Sequence, residues 1–112
     1  MIDTRATDEF AISHLAGAVR AGTLREAVGV LQGRAKAAPV VVYCSVGYRS
    51  SELAVQLQKE GHSNVQNLSG SIFQWANEGR PVFRGDVLVT KVHPFNNTWG
   101  DLLEKKYWSH EP

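Results

Sequence analysis

Apolar positions along the first 85 residues come in two alternating kinds, short β-branched runs and longer stretches whose apolar residues recur three or four apart. The runs read as strands and the stretches as helices. Their alternation predicts an α/β fold, three layers deep (α/β/α) with a mainly parallel central sheet. Ala18-Val19 is a short strand candidate after Gly17. Thr23 is placed to cap a helix from about Leu24 to Lys36, with Leu24, Val28 and Leu31 on one face. Pro39 then starts the strand Val40-Val41-Val42-Tyr43. Ser50 or Ser51 is placed to cap the next helix, whose Leu53, Ala54 and Leu57 form an apolar stripe and whose Gly61 suits a left-handed stop. Val65 to Leu68 reads as a strand, Gly70 as a turn, and Ile72 to Glu78 as a short helix bearing Trp75 and closed by Gly79 and Pro81.

Beyond Phe83 the pattern changes character. Val87-Leu88-Val89 alternates weakly, Pro94 to Gly100 is rich in turn formers, and Leu102, Leu103, Tyr107 and Trp108 read as a short amphipathic tail. The expected organisation is one domain over residues 1–85 and a C-terminal extension over 86–112 that packs on the domain or on a partner. No repeat or low-complexity segment appears.

Composition narrows the function classes. At 112 residues the chain has the size of a single domain able to bury about two-thirds of its unfolded surface. A formal net charge of +1 lacks the basic excess that nucleic-acid backbones select for, so no nucleic-acid partner is expected. No apolar run approaches the ~18 residues of a membrane span, and the opening Met1-Ile2-Asp3-Thr4-Arg5 lacks the apolar stretch of a signal peptide. The expectation is a cytoplasmic protein without a membrane partner.

Candidate chemistry centres on Cys44, the one cysteine, which follows the β-branched strand and opens the loop Cys44-Ser45-Val46-Gly47-Tyr48-Arg49-Ser50 before a helical pattern. Amide N–H groups of such a turn and of the helix start converge with partial positive charge and stabilise an anion. A thiolate there has a lowered pKa and is a usable nucleophile. The alternative is a buried cysteine acting as a small hydrophobe. A single cysteine has no resolving partner in its own chain, so anything it picks up must leave to another molecule. His62, His93 and His110 have no metal-ligand spacing with Cys44, and neither metal nor cofactor is expected.

Three separated motifs carry a family resemblance. Ile2-Asp3-Thr4-Arg5 with Glu9-Phe10, then His14-Leu15-Ala16-Gly17-Ala18, then Val42-Tyr43-Cys44 with Gly47, Arg49 and Ser50 occur in the order and spacing of a single-domain rhodanese, which the chain resembles over about residues 1–83. Val65, Gly70 and Trp75 fall where that family ends its domain. The resemblance implies a sulfurtransferase in which Cys44 takes the outer sulfur of a small-molecule sulfane donor, holds it as a persulfide, and yields it to cyanide, a small thiol or a protein acceptor. It also implies that the loop residues Ser45, Val46, Gly47, Tyr48, Arg49 and Ser50 cradle substrate. Arg49 would either bind an anionic donor or pin the loop through a carboxylate. Asp3 and Arg5 are expected as a structural ion pair, His14 as a structural loop residue and Trp75 as core.

Departures from the family pattern sharpen the expectation. The ring from Cys44 to Arg49 is six residues long, one shorter than that of the related phosphatases and arsenate reductases, which favours sulfur over phosphate. Ser45 and Val46 stand where thiosulfate-specific members often carry a basic residue, so cyanide-dependent transfer from thiosulfate should be detectable but slow. The motif order begins two residues into the chain, as though a first strand and helix were missing, which predicts an exposed sheet edge that is either paired with a second copy in a homodimer or covered by another segment such as the C-terminal tail. The alternative function is a rhodanese-like binding or regulatory module with weak turnover.

Overall fold

The β-branched runs and spaced apolar stretches become, in chain order, β1 (Ile2–Asp3), α1 (Thr7–Ile12), β2 (Val19–Arg20), α2 (Leu24–Leu31), β3 (Val40–Tyr43), α3 (Tyr48–Lys59), β4 (Val65–Asn67) and α4 (Ser71–Asn77). They are followed by a hairpin of β5 (Val82–Arg84) and β6 (Val87–Val89), a one-turn helix α5 (Asn97–Gly100) and a 3-10 turn at Lys105–Tyr107. The computed structural model describes residues 1–110, apart from the side chains at 97 and 98. Residues 111 and 112 of the expected extension therefore lie outside the described residues.

The first four strands make one parallel sheet in the order β2-β1-β3-β4, with Ile2 opposite both Val19 and Val42, and Val42 opposite Asn67. Successive side chains of a strand point to opposite faces. Val40 and Val42 thus join Ile2, Ala27, Leu31, Leu53, Ala54 and Leu57 in one buried cluster beneath α2 and α3, while Tyr43 joins Leu15, Ile72, Phe73, Ala76 and Val82 in a second, on the side of α4. The central sheet lies between these two apolar layers, as the alternating pattern predicts. Val92 and Leu103, from beyond the hairpin, complete the second cluster, with Trp99, Tyr107 and Trp108 half-buried against it.

Two helix boundaries differ from the sequence reading. Helix α2 stops at Leu31, its last buried residue, because Gly33 turns into the left-handed region at φ +85° and residues 32–37 carry no side chain into the core. Helix α3 starts at Tyr48, with Gly47 rather than Ser50 or Ser51 at its N-cap. Gly47 has φ +119°, a conformation that L side chains rarely adopt, and it turns the loop directly into the helix. Ser50 is thereby placed in the first turn, where its hydroxyl faces the cysteine instead of capping. Among the described residues no helix is long and apolar enough to cross a membrane.

Candidate active site

Strand β3, paired on both sides within the sheet, ends at Tyr43 and delivers Cys44 to the point where α3 begins. The loop backbone is fixed from below by α4. The N–H of Ile72 donates to the Cys44 carbonyl (3.1 Å), the N–H of Phe73 to the Ser45 carbonyl (3.0 Å), and the Cys44 N–H to Ser71 Oγ (3.2 Å). The otherwise free N–H groups of one helix start thus take up the loop's carbonyls. Ser71 itself sits at φ +49°, a strained position for a residue other than glycine. From β4, Asn67 clamps the far side of the loop, donating through Nδ2 to the Gly47 carbonyl (3.2 Å) and accepting from Ser50 Oγ through Oδ1 (2.6 Å).

With the Cys44 and Ser45 carbonyls drawn toward α4, donors are left facing the sulfur. Cys44 Sγ accepts from the Gly47 N–H at 3.0 Å and lies 3.4 Å from Ser50 Oγ. The Ser50 hydroxyl has one proton for Sγ, the Gly47 carbonyl and Asn67 Oδ1, and it can rotate toward the sulfur when that atom carries charge. Burial, the largest single influence, pushes the Cys44 thiol up; the Ser50 hydroxyl and N–H, the Gly47 N–H and the Arg49 charge together outweigh it and hold the pKa below the ordinary cysteine value. The buried-hydrophobe reading of Cys44 does not account for donors converging on its sulfur.

Arg49 points across the loop to a carboxylate. Its Nη1 and Nη2 bind Glu9 Oε1 and Oε2 at 2.8 and 3.1 Å, and Nη2 also donates to Ser45 Oγ at 2.8 Å. Glu9 is buried in the first turn of α1, where Oε1 also accepts the Ala6 N–H (3.0 Å) and Oε2 accepts from Ser45 Oγ (3.2 Å). Burial pushes the Glu9 carboxyl up, but the Arg49 hydrogen bonds and charge hold it below the usual carboxylate value. Of the two roles open to Arg49 in the sequence, the geometry has it pinning the loop. Glu9 is the residue that sequence reasoning did not place at the site; its only signal was its position in the Glu9-Phe10 pair of the opening motif.

The extension closes the site from above. Phe95 lies with its ring 4.6 Å from the Arg49 guanidinium, and Trp99 meets the Tyr48 ring edge to face at 5.3 Å. Together with Cys44, Ser45 and Val46 these four residues line a cavity of about 230 Å³. Phe95 is held at φ +71° by its N–H donating to His93 Nδ1 at 2.9 Å. No local pattern connects Phe95 or Trp99 to Cys44, about 50 residues earlier, and only the folded chain shows that they roof it.

Asp3, Arg5, His14 and Trp75 make contacts within the fold and away from the cavity over Cys44. Asp3 and Arg5 form a fully buried ion pair at 2.7 Å at the end of β1, and Arg5 also donates to the Ser13 carbonyl. His14 bridges to Phe83 through its backbone and stacks on Phe10 at 4.3 Å. Trp75 is half-buried, its indole N–H donating to the Pro81 carbonyl. Among the described residues no group of three or more His, Cys, Asp or Glu is placed to hold a metal ion.

Comparison with known proteins matches the same region. The family model for the rhodanese-like domain covers residues 1–78. A sulfurtransferase of Allochromatium vinosum is 42% identical over 43 residues, which is 38% of this chain and 40% of that protein. The crystal structure of thiosulfate sulfurtransferase from Pseudomonas aeruginosa superposes with a TM-score of 0.66 at 27% identity, over 74% of this chain and 16% of that one. The matches thus span less than half the length of either enzyme. A Bacillus halodurans protein superposes with a TM-score of 0.70 at 18% identity, over 90% of this chain and 74% of that one, and reports on the fold alone. With a matching model over most of its length and the cysteine loop in place, the chain belongs to the rhodanese-like domain family.

Proposed function

We propose that this chain is a sulfurtransferase that carries sulfane sulfur as a persulfide on Cys44. The observation that carries the reading is the convergence of the Gly47 N–H and the Ser50 hydroxyl on Cys44 Sγ, at 3.0 and 3.4 Å. In the first half-reaction the Cys44 thiolate attacks the outer sulfur of the donor. A sulfur–sulfur bond forms on Cys44, the donor's own bond to that sulfur breaks, and the electron pair leaves with the donor remnant, sulfite in the case of thiosulfate. In the second half-reaction cyanide or a thiolate attacks the outer sulfur and Cys44 departs as thiolate, so charge and sulfur balance over the cycle. The Gly47 N–H already points at the sulfur and the Ser50 hydroxyl reaches it by rotation alone, so little reorganisation accompanies the movement of negative charge onto the persulfide.

Intact-mass measurement after incubation with a sulfane donor tests this reading. The expected result is a gain of one sulfur atom, removed by cyanide with release of thiocyanate, and no gain in Cys44→Ser. A Cys44→Ser variant with full transfer activity would overturn the persulfide route. The near-complete burial of Cys44, 1% exposed under the roof of Phe95 and Trp99, favours a second reading as a binding module. Absence of an adduct with every donor tried would select that module.

A further inference from the structure

Two features of the cavity over Cys44 bear on what enters it. The first is charge. Arg49 is the one cation among the described residues that line the cavity, and its guanidinium is already bound at both ends by Glu9 at 2.8 and 3.1 Å and covered by the Phe95 ring at 4.6 Å. A dianion entering here would leave water without gaining an uncompensated positive partner, which is costly. The second is surface. Apart from the reactive sulfur and the Arg49–Ser45 edge, the walls are Val46, Tyr48, Phe95 and Trp99, two of them supplied by the extension. At about 230 Å³ the cavity is below the roughly 300–1,000 Å³ of pockets for drug-sized ligands and fits a body of about one ring. The strained φ of +71° at Phe95, fixed by His93, holds one of these rings in place.

We infer that Phe95 and Trp99 are specificity-determining residues that select a sulfane donor with a single negative charge and an apolar body, an organic persulfide or thiosulfonate, over the small dianion thiosulfate. The inference rests on the persulfide reading of Cys44. For a thiosulfonate the step is attack of the Cys44 thiolate on the terminal sulfur, with cleavage of the bond between the two donor sulfurs. The electron pair leaves on the sulfinate, one negative charge ends on that sulfinate and one on the Cys44 persulfide, and no external oxidant or reductant is needed. The apolar body binds against Phe95 and Trp99 while the terminal sulfur reaches Cys44. Binding energy from this non-reacting part of the donor thereby positions the reacting atoms.

The test is persulfide formation on the full chain with three donors, thiosulfate, methanethiosulfonate and benzenethiosulfonate, followed by stopped mass spectrometry. The two thiosulfonates share charge and leaving-group type and differ in the apolar body. The wild-type kcat/KM for benzenethiosulfonate should exceed that for methanethiosulfonate by about tenfold or more, mainly through KM, the size of effect expected when several apolar groups fill a complementary pocket. Thiosulfate should be the poorest of the three. In Trp99→Ala, and in Trp99→Leu as the milder variant that removes the ring but keeps an apolar side chain for folding, the preference for benzenethiosulfonate should shrink to within about threefold. Equal use of the two thiosulfonates by the wild type, or an unchanged preference in a folded Trp99 variant, overturns the inference while leaving the persulfide reading intact. Absence of any adduct with all three donors overturns the persulfide reading itself. If neither Trp99 variant folds, the wild-type ratio alone decides.

Discussion

At the scale of single residues, the site depends on a carboxylate that never touches the sulfur. Glu9 neutralises Arg49, accepts the Ser45 hydroxyl and caps its own helix through Ala6, so one buried side chain ties α1 to the cysteine loop. Its removal should cost more than an exposed ion pair and less than a fully buried one, because the Arg49 side chain is 33% exposed. Glu9→Gln is expected to lower unfolding free energy by roughly 2–3 kcal/mol near neutral pH, measured by denaturant titration. The pH dependence gives a sharper check. The folded-state pKa of Glu9 is depressed below 4.5, so the contribution of the pair is complete above that value and is lost as the pH falls through the lower folded value. Wild-type stability should therefore drop more steeply than that of Glu9→Gln once the pH passes below 4.5. Parallel acid titrations of the two proteins would contradict the assignment. Cys44 and Arg49 were readable from the sequence because their spacing alone defines the ring, whereas the partner of Arg49 was not, since 40 residues separate it from Glu9.

At the scale of elements, strands and helices were legible where local pattern and tertiary packing agree. Val40 and Val42 of β3 share one buried layer with the apolar stripe of α3, Tyr43 enters the other, and both elements form close to where their periodicity places them. Boundaries failed where loop chemistry overrides capping preference. Ser50 has the residue type of a helix cap, yet its hydroxyl serves Cys44 and Asn67, and the start of α3 is set by the backbone conformation of Gly47. This makes Gly47→Ala informative. A methyl group at position 47 would meet nothing closer than Asn67 Nδ2 at 3.6 Å, so crowding is minor and the cost lies in holding φ at +119°. A strained position of this kind costs about 1–3 kcal/mol, and relaxation would move the Gly47 N–H away from Sγ. The expected outcome is a modest fall in melting temperature, a rise in the Cys44 pKa as read from the pH profile of alkylation, and a loss of persulfide formation out of proportion to the loss of stability. Unchanged alkylation kinetics in Gly47→Ala would show that this amide does not stabilise the thiolate.

At the scale of the whole molecule, the chain after β6 is both core and roof. Val92 and Leu103 are 0% and 1% exposed within the second apolar layer, and Asn77 of α4 fastens this stretch by donating to the Leu102 carbonyl and accepting the Glu104 N–H. Ser13 adds a further tie by donating to the Lys91 carbonyl. Leu103 lies on the same segment as Trp99, so packing energy at one end holds the aromatic wall at the other. Leu103→Ala should cost about 2–5 kcal/mol, the usual range for a buried leucine. Because the described residues of the tail contribute no strand to the parallel sheet, part of that cost should appear as local opening rather than global unfolding. Opening lifts Phe95 and Trp99 from Cys44, which is 1% exposed in the closed chain. A bulky maleimide should then label Cys44 faster in Leu103→Ala than in the wild type under conditions where both are folded by circular dichroism. A small reagent such as iodoacetamide, which needs less clearance, should gain less. Equal acceleration with both reagents would point to a general loosening of the fold, and no acceleration with either would mean that the roof is held by contacts other than Leu103.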